Sequence, residues 1–155
     1  MGQILTRNVL IDVIKDLREN NIKIAATNGC FDILHVGHVK YLSEAKKFGD
    51  ILIVGLNSDK SVKMLKGETR PINQQNDRAQ VLAALNCVDY VVIFDEISPI
   101  ELLKSIKPDV YVKGADYTLE TLPEAKPLLE LGINIKFVDF VLGKSTSNII
   151  QKSQK

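Results

Sequence analysis

His35 and His38 are the only histidines in the 155-residue chain, and they sit three positions apart in "LHVGH". Two imidazoles flanking one glycine admit three readings: satisfied structural residues, ligands for a metal, or a seat for an anion. Perturbed titratable groups cluster in clefts, and two imidazoles in one turn with none elsewhere weigh against a purely structural role. Zinc is the sharper competitor, with Cys30, His35 and His38 as three ligands, but their spacing matches none of the common structural-zinc patterns. Cys30 is otherwise a small residue at the end of a strand. In a helix, residues three apart share a face, so both rings would point the same way, and Gly37 would let another group approach the backbone closely.

For the pair to act, regular elements must hold it at a ligand's edge. Val9, Leu10, Val13, Ile14 and Leu17 recur at helical spacing after a cap at Thr6 or Asn8, which predicts an N-terminal helix within 1–20. Strands are expected at 22–27, 50–56, 89–94, 109–114 and 133–140. Helices are expected at 36–48, 58–65, 77–86, 98–107 and around 123–131, with a C-terminal helix and tail over 145–155. Five strands alternating with helices predict one α/β domain over 1–155: a doubly wound, Rossmann-like five-stranded parallel sheet with helices on both faces. In such a sheet ligands bind beyond the carboxyl ends of the strands, where strand order reverses. "NGCFD" leaves the first of these strands and HVGH opens the next helix. Free backbone N–H groups and the positive end of the helix dipole therefore converge with the two imidazoles. The expectation is a phosphate seat.

Composition narrows the partners. A net charge of +1 gives no global field for nucleic acid or an anionic membrane surface, so neither partner is expected. Cys30 and Cys87 are too few and too far apart for a disulfide framework, which implies a reducing compartment. No signal peptide or uncharged apolar run of about 18 residues is visible, and the chain is expected in the cytoplasm. Met1-Gly2 with Thr6 has the outline of a myristoylation signal, but the residues that follow read as an amphipathic helix. "GKSTS" at 143–147 mimics the tail of a phosphate-binding P-loop. The glycine that motif requires five positions earlier is Val138, so a P-loop is rejected and the Ser-Thr-Ser run reads as a helix cap beside Lys144.

With these residues in view, "GCFDILHVGHVKYLSEAKKFGD" resembles the HxGH nucleotidyltransferase superfamily, in its cytidylyltransferase-like branch. The likeness runs over nearly all of the chain after residue 22, through "LNSDKSVKMLKGETRPI", "DRAQVLAAL", "VDYVVIFDE", "KPDVYVKGADY" and "GKSTSNII". "LKGETRPIN", "VKGADY" and "LPEA" look like the bacterial subgroup that acts on D-glycero-β-D-manno-heptose 1-phosphate more than like glycerol-3-phosphate cytidylyltransferases. Ala115 and Ser147 depart from the glycine and second threonine common in that subgroup. Many relatives carry the domain behind a sugar kinase; here a stand-alone domain is expected, with a separate kinase acting upstream.

The resemblance implies transfer of AMP from ATP to a sugar 1-phosphate, giving a nucleotide sugar for lipopolysaccharide or other surface glycans. It assigns His35 and His38 to the α-phosphate, and Asn28, Gly29, Cys30, Phe31 and Gly37 to the nucleotide pocket. Lys113, Gly114 and Asp116 would approach base and ribose, and Ser145, Thr146 and Ser147 the phosphates. Lys66 is the candidate for neutralising the acceptor phosphate or the α-phosphate, joined by Arg70 and Arg78, whose forks suit phosphate; for Arg78 an exposed helix charge is the alternative. Mg²⁺ is expected on phosphates and water, with Asp32 a candidate contact, and relatives imply a homodimer. Two rival functions stay open: a cytidylyltransferase acting on glycerol 3-phosphate or another phosphorylated alcohol, and a non-catalytic nucleotide-binding module. The intact HVGH disfavours the second.

Overall fold

The chain begins with a strand rather than a helix. In the computed structural model, which describes residues 1–139, 141 and 143–155, β1 (Gln3–Leu5) precedes α1 (Arg7–Glu19). Thr6 is the cap between them, its side chain accepting from the Val9 N–H. The remaining elements alternate: β2 (Ile24–Gly29), α2 (Val36–Lys46), β3 (Ile51–Asn57), α3 (Asp59–Lys66), α4 (Gln75–Ala83), β4 (Tyr90–Phe94), α5 (Ile100–Ile106), β5 (Val110–Gly114), α6 (Ala125–Glu130), β6 (Asn134–Val138) and α7 (Thr146–Ser153). The last residue of the strand expected over 133–140 lies outside the described residues.

The described residues form one parallel sheet of six strands, ordered β1-β4-β3-β2-β5-β6, so the expectation of five is corrected. The sixth strand is β1, paired through Gln3↔Tyr90, Ile4↔Val91 and Leu5↔Val92. Three residues are too short to display a period of two, and Ile4 is largely exposed, so this strand exists only because the edge of β4 offers it partners.

Chain order runs outward from β2 through β3 to β4, then returns across α5 to β5 on the other side of β2. Strand order therefore reverses at β2. Its two neighbours are treated unequally: β2 and β3 stay in register over six pairs, whereas β2 and β5 pair only at Ala25↔Val110 and Ala26↔Tyr111. Beyond that point the Val112 carbonyl accepts from the Thr27 and Tyr41 hydroxyls, each at 2.9 Å. The crevice opens here.

Two apolar cores cover the sheet. Residues of α2 and α4 pack on one face around Leu42, Val54 and Leu82, and those of α1, α5 and α6 on the other around Leu10, Ile53 and Leu103. Phe31, just past β2, is buried in the first core with φ at +43°. A bulky residue held there costs on the order of 1–3 kcal/mol and needs its surroundings to enforce it.

Arg78 turns out not to be a phosphate contact or a surface charge. It is 2 % exposed, and its guanidinium donates to the Asn73 carbonyl at 2.9 Å, Cys30 at 2.6 Å and Asn57 at 2.8 Å, with Asp59 at 2.8 Å. One side chain thus ties the ends of β2 and β3 to the start of α4. Arg78→Ala removes the donor to three carbonyls, that of Asn57 buried, and leaves Asp59 without its guanidinium; it should destabilise the fold by about 3–5 kcal/mol in chemical denaturation. Unchanged stability with lost activity would instead return Arg78 to the ligand.

Candidate active site

A cavity of about 660 Å³ lies over the carboxyl ends of β2 and β5. Its size suits a nucleotide or similar ligand. His35 is the N-cap of α2 rather than part of its first turn: its Nδ1 accepts the Gly37 N–H at 3.1 Å. A Cβ at position 37 would fall 2.8 Å from His35 Cε1 and 2.9 Å from Nδ1. The glycine is therefore required by the imidazole folded over it. His38, one turn in, stacks on His35 with ring centroids 3.9 Å apart, and Phe31 meets it edge-on at 5.3 Å.

That geometry sets the proton inventory. Burial, with Lys144 second, holds His35 below its ordinary range; burial and the neighbouring His35 push His38 down to about 4. At neutral pH both rings are uncharged, so each carries one N–H. Because His35 Nδ1 is an acceptor, its proton belongs on Nε2. His38 Nδ1 is buried with no hydrogen-bond partner. Two neutral rings can stack where two imidazolium ions would repel, and each remains ready to gain charge against an anion.

The rest of the cavity follows from the strand ends. Asn28, Gly29, Cys30 and Phe31 come from the end of β2; Lys113, Gly114 and Asp116 from the end of β5 and the turn after it. Lys66 enters from the last turn of α3 and Arg70 from the connection to α4. Ser145, Thr146 and Ser147 stand at the opening of α7, which is tied to the β2–α2 connection: Thr146 Oγ1 donates to the Ile33 carbonyl at 3.1 Å, and Lys144, just before α7, lies near Gly37. Ser145 is occupied as a cap, accepting from the Asn148 N–H. Burial pushes the Cys30 thiol up, with Lys66 the leading opposing charge, which disfavours the thiolate. Burial likewise pushes Lys113 down, with Glu124 and Asp116 opposing.

Asp32 is committed elsewhere. It is 3 % exposed; Arg70 Nε donates to its Oδ2 at 2.6 Å, and the Ile72 and Asn73 N–H groups bond its carboxylate at 2.9 Å. Burial works to raise its pKa, but those two N–H groups and the Arg70 guanidinium outweigh it and hold the carboxyl low. Both oxygens pin the 70–73 loop under the cavity, so the Mg²⁺ contact considered for Asp32 is corrected to a structural clamp. Among the described residues no group of three or more His, Cys, Asp and Glu is arranged to hold a metal ion. The side chains present do not build a cage for Mg²⁺, and any such ion must rely on phosphate oxygens and water.

Sequence reasoning overlooked Glu124, Tyr111 and the Ile97–Pro99 rim. Glu124 follows an unremarkable proline, and Tyr111 reads as a core strand residue.

A reversed parallel sheet with anion-binding groups at its switch point defines a nucleotide-binding α/β protein. A family model for cytidylyltransferase-like proteins matches residues 26–152. The chain belongs to the cytidylyltransferase-like family. It is 53% identical over 154 residues to the bifunctional protein HldE of Wolinella succinogenes, covering 98% of this chain and 31% of that protein. Against the bifunctional protein HldE of Campylobacter fetus it is 60% identical, covering 81% and 27%. The chain thus spans less than a third of the length of these relatives. A solved lipopolysaccharide core biosynthesis protein from Thermoplasma volcanium is 32% identical with TM-score 0.63, covering 77% of this chain and 97% of that one. The pantoate-beta-alanine ligase of Francisella tularensis shares the fold at 18% identity and TM-score 0.69, covering 95% and 69%. No helix of the described residues is long and apolar enough to cross a membrane.

In the free protein an NMR pH titration should give His38 a midpoint of about 4 and His35 one below 6.5, both rising when a triphosphate binds. Since the folded pKa values lie below the unfolded one, stability should fall as pH drops from about 6.5 towards 4. A His38 midpoint at or above 6.5 would contradict this account.

Proposed function

We propose that this chain transfers AMP from ATP to D-glycero-β-D-manno-heptose 1-phosphate, releasing pyrophosphate. The observation that carries the reading is the stacked, neutral histidine pair at the α2 amino terminus, with the His35 Nε2 proton free for a phosphate oxygen. The heptose assignment is supported by "LKGETRPIN", "VKGADY" and "LPEA", and by similarity to a lipopolysaccharide core biosynthesis protein.

The acceptor's phosphate is already largely ionised at neutral pH, its second pKa being about 6, so no general base is required. One of its oxygens bonds to the α-phosphorus as the bond from that phosphorus to the bridging oxygen of pyrophosphate breaks. The task is to bring two polyanions together and stabilise the charge that develops. His35 and His38 donate to the α-phosphate, and Lys66 and Arg70 meet the incoming phosphate. Lys144 and the opening of α7 face the leaving pyrophosphate. Mg²⁺ would travel on the triphosphate, adding charge neutralisation. The reaction belongs in the cytoplasm, downstream of a kinase that phosphorylates the sugar.

Pyrophosphate release should require ATP together with heptose 1-phosphate; a requirement for CTP, or turnover with glycerol 3-phosphate alone, would replace this reading by the cytidylyltransferase one. His35→Ala and His38→Ala should each lower kcat by about 10²–10³, with smaller effects on melting temperature. Equal losses of activity and stability would mean the pair is structural.

A further inference from the structure

The end of β3 carries a buried amide that neither the core nor the phosphate chemistry explains. Asn57 closes that strand beside Phe94 of β4 and is 2 % exposed. Its backbone carbonyl accepts from Arg78 at 2.8 Å, and its side-chain Nδ2 lies 2.8 Å from Ser61 Oγ. Ser61 Oγ in turn lies 2.9 Å from the Glu96 backbone carbonyl. A carbonyl can only accept, so the single hydroxyl proton of Ser61 goes to Glu96, and Ser61 must accept from Asn57. That decides which way the amide faces: its NH₂ points at Ser61 and its Oδ1 points away. No donor among the described residues reaches Oδ1. The one sealed side-chain atom without a partner among those residues is His38 Nδ1. Asn57 Oδ1 therefore reaches solvent, and it does so in the cavity that Asn57 lines.

The surroundings show what such an oxygen meets. Beside it the cavity is lined by Leu65, Ile97 and Pro99, with Ser98 among them, and both Leu65 and Ile97 are largely exposed. Apolar side chains interrupted by a fixed acceptor and a hydroxyl match a sugar ring, which presents C–H faces and O–H edges. An ionised phosphate offers only acceptors, so it gives an amide oxygen nothing to bind. The place agrees with the roles already assigned. Base and ribose go to the β5 side of β2, whereas β3 is its neighbour on the other side. Lys66, which meets the acceptor phosphate, belongs to α3, the helix that follows β3. We infer that the acceptor's sugar sits over the ends of β3 and β4, where Asn57 Oδ1 accepts one of its hydroxyl protons and so selects for that hydroxyl. Asn57 is the specificity-determining contact and Ser61 a positioning residue. An acceptor lacking the hydroxyl leaves a buried oxygen unmet.

This assignment rests on the nucleotidyl-transfer reading above, and one experiment separates the two. Wild type, Asn57→Ala and Ser61→Ala are compared by steady-state pyrophosphate release with heptose 1-phosphate and with its monodeoxy analogues. Calorimetric titration with ATP alone follows nucleotide affinity, and thermal melts check folding. In the wild type, loss of one particular hydroxyl should raise the acceptor KM about 10- to 100-fold. Asn57→Ala should raise KM for the intact sugar phosphate by a similar factor and abolish the extra penalty for that one analogue, with ATP affinity held within about twofold. Ser61→Ala, which frees the amide to turn, should act in the same direction by a smaller factor; it carries the comparison if Asn57→Ala does not fold. Three results would each overturn the inference and leave the proposed reaction standing: no deoxy penalty in the wild type, the same penalties in wild type and variants, or weakening that falls on ATP. Failure of the wild type to turn over would remove the reaction itself, and this inference with it.

Discussion

Everything at this site depends on the early parting of β2 from β5. Parallel strands normally satisfy one another's backbone groups along their shared length. Here the ladder stops at Ala26↔Tyr111, and the next carbonyl, that of Val112, is taken by the Thr27 and Tyr41 hydroxyls. Those hydroxyls let the strand ends diverge without leaving a buried acceptor unmet. The gap is a consequence of winding. Helical crossovers carry the chain outward from β2 in one direction and then in the other, so no connection crosses directly between β2 and β5.

Around that gap, charged groups are divided between holding the walls and facing the ligand. Arg78 and Asp32 are buried, and each makes several hydrogen bonds that fix loops: Arg78 at the ends of β2 and β3, Asp32 at the 70–73 segment. Lys66, Lys113 and Lys144 line the cavity. A buried ion can be tolerated only when its bonding is complete, so the completeness of a side chain's bonds separates scaffold from site.

The histidine pair couples local backbone to chemistry. Capping by His35 fixes its tautomer, and stacking on His38 in a partly buried position keeps both rings neutral until an anion arrives. The surroundings thus keep the free site from accumulating charge that would be costly without ligand. The same rings are hydrogen-bond donors at the helix amino terminus, where the dipole already favours an anion.

Much of this could be read from residues in order. Long apolar runs such as 50–56 identify interior strands, and helical spacing identifies α1, α2 and α4, because such patterns reflect which face is buried. The HVGH spacing, with a strand before it and a helix after, located the site, since Gly37 must lie beneath the ring of His35 for local steric reasons. What the order of residues could not settle are matters of partners distant in sequence. β1 is a strand only beside β4. Arg78 and Asp32 look like ligand contacts until the carbonyls, N–H groups and guanidinium that occupy them come from 5 to 48 positions away. Glu124 and Tyr111, 13 residues apart, become one unit only when β5 and the start of α6 meet. Periodicity and sterics act within a turn or a strand, whereas burial and hydrogen-bond completeness belong to the assembled molecule.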